Sequence, residues 1–267
     1  MSKARFSVRT AVAEGFEFWR VNVLRAIGPL VVASMGLVVL LTAKTLPLLV
    51  AGLAVYVLAG LAAQAALYRI SLAGTGAEPP ERNGPFGLQW RMMETRFVVV
   101  GLLAAALLAI VMIIAVFVIS VLLVGLVGIP AATAATTPAM LLAGLSPTGS
   151  FLFNLAALVA VAGLLVLNTR LSMAVPATAA ENRIRFLSSL GLTKGSVLRI
   201  LAATILINLP IIIMQSLASL FGEAMSGADA VALTQLIVGI VSTFFYVPIS
   251  VGMTSYIYRR LREGAGQ

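Results

Sequence analysis

Five stretches without a single Asp, Glu, Lys or Arg dominate this chain: 26–43, 45–68, 97–169, 200–222 and 230–258. A helix needs about 20 apolar residues to cross the hydrocarbon core of a bilayer. Four of the windows fit one crossing each. The third has 73 residues and room for two or three. Inside lipid every backbone N–H and C=O must be satisfied within the protein, so the spanning segments are expected to be helices. The rest of the composition agrees. Of the 267 residues 61% are hydrophobic and 10% are charged, with a mean hydropathy of +1.08. A soluble domain carries about 25% charge. The expected class is an all-α polytopic membrane protein.

Charge placement chooses between two and three crossings in the long window. Five basic residues precede Ala26 (Lys3, Arg5, Arg9, Arg20, Arg25). Four separate the second and third windows (Arg69, Arg82, Arg91, Arg96). Five lie between Arg170 and Arg199 (with Arg183, Arg185, Lys194), and three close the chain (Arg259, Arg260, Arg262). Only Lys44 falls elsewhere. With two crossings in the long window, seventeen of the eighteen cationic residues share one side; with three, the bias collapses. The positive-inside rule therefore selects six spans with both termini cytoplasmic. The expected spans are about 26–43, 47–68, 97–127, 150–169, 200–221 and 232–257, in a single domain over 1–267.

The net charge of +9 does not imply nucleic acid, because the basic residues sit at the ends of apolar runs and form no soluble face. Cysteine and histidine are absent. That removes disulfides, haem held by His or Cys, and zinc sites of the usual N/S kind. The first 25 residues carry charges throughout, so no cleavable signal peptide is expected there, and Glu14 and Glu17 disfavour a transit peptide.

Within 1–25, Val8, Val12, Phe16, Trp19, Val23 and Ile27 recur at spacings of three and four. That is one stripe of an amphipathic helix, with Ser7 as its N-cap. It is expected to lie in the cytoplasmic interface, with Trp19 and Arg20 at headgroup level. Residues 128–149, between the third and fourth spans, form an uncharged outer loop rich in Gly, Pro and Thr. The last outer loop holds Glu223 and Asp229 and no basic residue.

Three helical hairpins share one plan: a lead-in, an entry arginine (Arg25, Arg96, Arg199), two spans, and a basic exit. The exits read Tyr68-Arg69-Ile70-Ser71, Thr169-Arg170-Leu171-Ser172 and Tyr258-Arg259-Arg260-Leu261. This reads either as a parallel repeat or as the common look of arginine-anchored hairpins.

Residues able to do chemistry are scarce. No charged residue lies in the middle of a span, which argues against ion-coupled transport and against an intramembrane hydrolase. The spans contain amides and hydroxyls, among them Gln64, Ser120, Asn154, Asn208, Gln215, Ser216, Gln235, Ser242 and Thr243. Hydrogen bonding between helices accounts for such residues. A polar path near Asn208 and Gln215 is the sharper alternative. Pro210 and Pro248 lie inside spans five and six, where each removes a backbone hydrogen bond and favours a kink. Glu181 with Asn182, Arg183 and Arg185 is the dense polar group of the central loop, but it has no second acid, His or metal partner of the kind a catalytic carboxylate needs. Glu81, Glu94 and Glu181 would suggest an enzyme only as a cluster around a metal. Arg170, Arg183, Arg185, Lys194 and Arg199 are assigned as contacts to lipid phosphate. In the same stretch, Pro176 follows the exit of span four, a short interfacial helix is expected to stop near Gly191, and Thr193 is expected to cap the helix of span five.

Leu192-Thr193-Lys194-Gly195, followed by Arg199 and a new span, and the closing Tyr258-Arg259-Arg260-Leu261-Arg262, carry a resemblance. With the six-span plan, they make the chain similar to bacterial inner-membrane proteins related to the membrane domain of glycerophosphodiester phosphodiesterases. That family often has an arginine and a tryptophan just before the Leu-Thr-Lys-Gly element, where this chain has Ser188 and Leu190. The resemblance implies a multi-pass protein of the bacterial inner membrane. With no catalytic barrel after the last span, it implies no activity. The expected function is therefore non-enzymatic: binding of anionic lipid headgroups, or of a membrane-protein partner, through basic cytoplasmic interfacial helices, with no cofactor, metal or nucleic acid. The alternative is a permease for an uncharged or lipid-like solute.

Overall fold

The computed structural model describes residues 6–73, 75, 85–87, 89–127, 145–224 and 228–264. Ten α-helices are present among them, and no strand: α1 Val8–Asn22, α2 Ile27–Thr42, α3 Leu46–Ser71, α4 Met92–Val127, α5 Pro147–Leu171, α6 Ala174–Glu181, α7 Ser188–Leu192, α8 Val197–Ala224, α9 Ala228–Val241 and α10 Val247–Gly264. Six segments are long and apolar enough to cross a membrane: Val8–Thr42, Leu46–Ser71, Met92–Leu126, Pro147–Glu181, Val197–Leu217 and Thr234–Gly264. The chain is thus an all-α, multi-pass integral membrane protein. Most of the outer loop expected at 128–149, and Glu81, lie outside the described residues. The fold divides into two compact units, one of Met1–Gly101 with Arg170–Gln267 and one of Leu102–Thr169.

In the first unit, small residues set how closely the helices approach. A Cβ at Gly36 would stand 2.5 Å from the backbone nitrogen of Tyr56, and one at Gly52 would stand 2.6 Å from that of Leu40. The α2–α3 hairpin can close only because both positions lack a side chain. α1 docks on α10 by the same device. A Cβ at Gly15 would lie 2.7 Å from the carbonyl oxygen of Ile249, and one at Gly252 would lie 2.6 Å from Cβ of Phe18. The residues α1 buries are Ala11, Gly15 and Asn22, whereas Phe16 of the expected apolar stripe is 44% exposed. Ser7 does occupy the N-cap position, in extended backbone, but its hydroxyl makes no capping bond.

Trp19 is held by the protein itself. Its indole Nε1 donates to the carbonyl of Phe244 at 3.0 Å, and its ring stacks on Phe245 at 4.6 Å between centroids. Pro248 explains why that carbonyl accepts. Proline has no N–H to return to the residue four before it, which is Phe244, and its ring crowds that carbonyl. The helix absorbs this as one π-helical turn, Ser242–Tyr246, and continues as α10. The freed carbonyl is bonded from the side by α1. The sixth span is locally widened, not broken. Pro210, by contrast, lies exposed inside the unbroken helix α8.

A buried cluster in the first unit lies at the ends of the spans where the arginines sit. Ala65, Ala66, Leu67, Tyr68 and Leu72 of the α3 exit meet Met93, Phe97, Met173, Ala177, Ile257 and Tyr258 in one buried cluster. Helix α6, from within the polar-looking stretch 170–199, is almost wholly buried, with Ala174, Pro176, Ala177, Thr178, Ala179 and Ala180 inside. It ends at Asn182, whose φ of 51° is a left-handed stop that asparagine tolerates.

In the second unit the apolar side chains point outward. Ile113, Phe117, Phe151 and Leu158 are each about two-thirds exposed. A cleft of about 380 Å³ runs between α4 and α5, lined by Ala105, Leu108, Ala109 and Met112 on one side and Val161, Leu164, Leu165 and Asn168 on the other. In a bilayer these surfaces meet acyl chains, for which apolar exposure carries no penalty.

Candidate functional site at the basic end

Two arginine–carboxylate clusters organise the basic end of the first unit. The first is fully buried. Arg69 Nη2 donates to Glu94 Oε1 at 2.7 Å, and both side chains have no solvent exposure. Glu94 Oε2 accepts the backbone N–H of Arg91 at 2.9 Å. The pair ties the exit of α3 to the first turn of α4, 25 residues further on. Around it lies a polar layer: the hydroxyl of Tyr68 bonds that of Thr254 at 2.9 Å, Ser71 bonds Ser255 at 2.6 Å, and Arg259 donates to the carbonyl of Ser71 at 3.1 Å. Arg69, the basic residue at the exit of the second span, is thus turned into the protein. A buried cation is strongly unfavourable without counter-charge, and Glu94 supplies such a charge to Arg69.

The second cluster is centred on Glu181. Its Oε2 accepts from Arg183 Nε at 3.1 Å and Nη2 at 2.9 Å, and from Arg185 Nε at 2.6 Å. Its Oε1 has a long contact of 3.5 Å from the Tyr258 hydroxyl. Arg183 remains 65% exposed, while Glu181 is 20% exposed. Next to it, Arg96 donates to Asn182 Oδ1, and Arg262 Nη1 donates to the carbonyl of Thr75 at 3.3 Å. Thr75, Ala180, Glu181, Arg183 and Arg262 line a polar pocket of about 410 Å³.

The five residues assigned to lipid phosphate therefore divide. Arg183 and Arg185 are ion-paired to Glu181, so part of their charge is already answered within the protein. Lys194 is exposed and Arg199 half-buried, and the side chain of neither has an ion pair or hydrogen bond among the described residues. Arg170 is half-buried, and its Nε is enclosed with no hydrogen-bond partner among the described residues. Glu94 and Glu181 are each held by arginine and do not share a metal-binding cluster among the described residues.

The local structure of 186–200 differs from the expected one. Thr193 does not cap the helix of span five. It closes the preceding helix α7, with its hydroxyl directed back to the carbonyls of Ser189 and Leu190. The short helix ends at Leu192, next to Gly191 as expected, and the turn into the next helix passes through Gly195, whose φ of +84° suits glycine. Ser196 then provides the carbonyl that the N–H of Ile200 bonds at 3.0 Å.

The polar positions within the spans are also placed. Asn208 Nδ2 donates to the carbonyl of Thr204 at 2.7 Å and meets the hydroxyl of Tyr246 at 3.4 Å, bridging spans five and six. Gln215 lies exposed on α8. The two are not brought together into a polar path. Ser242 and Thr243 bond carbonyls one turn back in their own helix.

No family model, curated protein or solved structure matches this chain.

Proposed function

We propose that this protein is a non-enzymatic membrane protein that holds anionic lipid headgroups at its basic end. The observation that carries this reading is the division among its cations. Glu94 and Glu181 are taken up by Arg69, Arg183 and Arg185, while the side chains of Lys194 and Arg199, at the start of a span, keep their charge unanswered among the described residues. A phosphate at headgroup depth is the natural counter-charge for such groups. The same reading places the basic end on the cytoplasmic side of a bacterial inner membrane, by the positive-inside rule. It also keeps the proposed relation to the membrane domain of glycerophosphodiester phosphodiesterases, which rests on Leu192–Gly195 and the closing basic run.

Each unpaired cation contributes roughly 1 kcal/mol at an anionic surface, a factor of about five. The test is native mass spectrometry of the purified chain with phosphatidylglycerol. Replacing Lys194 and Arg199 together by glutamine should lower retention of that lipid by about 25-fold. Unchanged retention would overturn the proposal. No observation favours the permease reading, since Asn208 is engaged by Thr204 and Tyr246.

A further inference from the structure

The pocket beside Glu181 differs from the rest of the basic end because it presents both signs of charge. Arg183 and Arg262 line it, and so does the carboxylate of Glu181. The two oxygens of that carboxylate are unequally used. Oε2 takes three short N–H donors, while Oε1 has only the 3.5 Å contact from Tyr258 among the described residues. An ionised carboxylate can accept about four hydrogen bonds, so Oε1 retains capacity toward the pocket. Arg262 commits one of its five N–H donors to the carbonyl of Thr75. A simple anion would meet the guanidinium groups but also an adjacent carboxylate. A simple amine would meet the carboxylate but also two guanidinium groups. A ligand that carries a phosphoryl group and, a short linker away, a primary ammonium answers both.

We infer that this pocket takes a phosphoethanolamine group, with its phosphate toward Arg183 and Arg262 and its ammonium toward Glu181 Oε1. The inference rests on the lipid-binding reading above and adds a headgroup to it. The pocket, about 410 Å³ and open to the surface, leaves room for such a group with some of its hydration. The pocket is built from residues at the ends of three spans: Thr75 after α3, Glu181 at the end of α6 with Arg183 just beyond it, and Arg262 near the end of α10. Headgroups of a lipid leaflet lie at that level. A soluble phosphoethanolamine ester has the same chemistry, so the test must separate the two sources.

The experiment is competition for the full-length, unaltered chain among phospholipids with identical acyl chains, read by native mass spectrometry. The headgroups are phosphoethanolamine, its N-methylated forms up to phosphocholine, and phosphoglycerol. Each methyl removes an N–H donor. Retention should fall along the series, to about one-tenth at phosphocholine, the ratio one charge-assisted hydrogen bond supplies. Glu181→Gln should flatten the series, and Arg262→Gln should weaken all its members together. Equal retention of the ethanolamine and choline lipids by the unaltered chain would overturn the inference. If Lys194 and Arg199 still governed phosphoglycerol retention, the broader lipid reading would survive that result. If no phospholipid were retained at all, both would fall. Added glycerophosphoethanolamine identifies the source: displacement of the lipid at millimolar concentration assigns the pocket to a soluble ester, and no displacement assigns it to the membrane lipid.

Discussion

Breaking the Arg69–Glu94 pair should be the most damaging single change at the basic end. The two charges are 2.7 Å apart and wholly without solvent exposure. At an effective dielectric constant near 20, unit charges about 4 Å apart attract by roughly 4 kcal/mol. Desolvation consumes most of that gain while the pair is intact. Removing the Glu94 carboxylate takes away a buried counter-charge of Arg69, a loss of about 3–5 kcal/mol. Glu94→Gln retains acceptor geometry for the N–H of Arg91 and should fall near the lower figure; Glu94→Ala should fall near the upper one. For a chain of this size each kcal/mol moves the thermal midpoint by roughly 2–4 °C, so drops of roughly 6–20 °C are expected. The double variant Arg69→Met with Glu94→Met removes both charges and replaces them with apolar groups. It should recover most of the loss. The assay is thermal unfolding in one detergent, followed by Trp fluorescence and by loss of the monodisperse peak. A Glu94→Ala variant within about 1 kcal/mol of the original chain would refute the reasoning, because no buried charge would then have been exposed to its cost. So would a double variant as unstable as the summed singles.

Trp19→Phe removes the hydrogen bond to the Phe244 carbonyl and should cost about 1 kcal/mol; in a Pro248→Ala background, where the helix can satisfy that carbonyl itself, the same change should cost clearly less by thermal shift. Gly36→Val and Gly15→Val place atoms against the backbone of the neighbouring helix and should each lower stability by at least about 2 kcal/mol. Gly101→Ala, which meets nothing within 4 Å, should be neutral or slightly stabilising in the same measurement.

The spans were legible because a single physical rule governs them. An uncharged run of sufficient length has only one stable conformation in lipid. The pairing at their ends was not. An arginine at the end of an apolar run looks the same in sequence whether it reaches for a headgroup or turns inward. Arg69 and Arg199 cannot be told apart by pattern, and only the fold brings Glu94 to one of them. The docking of α1 was hidden for a different reason. Val8, Val12 and Trp19 of its apolar stripe do pack against the core, but Phe16 is exposed, and the closest approach is made at Ala11 and Gly15, residues with almost no hydrophobic signal. The stretch 170–199 misled through its average polarity. Its first half contains the buried helix α6, and its charges are concentrated beyond Asn182. The π turn before Pro248 was half-visible: the proline marked a disturbance, but its accommodation by Trp19, 225 residues before the accepting Phe244, belongs to tertiary structure.

The account depends above all on one basic end facing one side of the membrane. The chain has no cysteine, so single cysteines report sidedness without background. Thr45→Cys, Ser188→Cys and Glu263→Cys each alter an exposed position. In intact bacterial cells a membrane-impermeant maleimide should label Thr45→Cys alone, and should reach the other two only after the inner membrane is permeabilised. Labelling of Ser188→Cys or Glu263→Cys in intact cells, or protection of Thr45→Cys, would contradict the account.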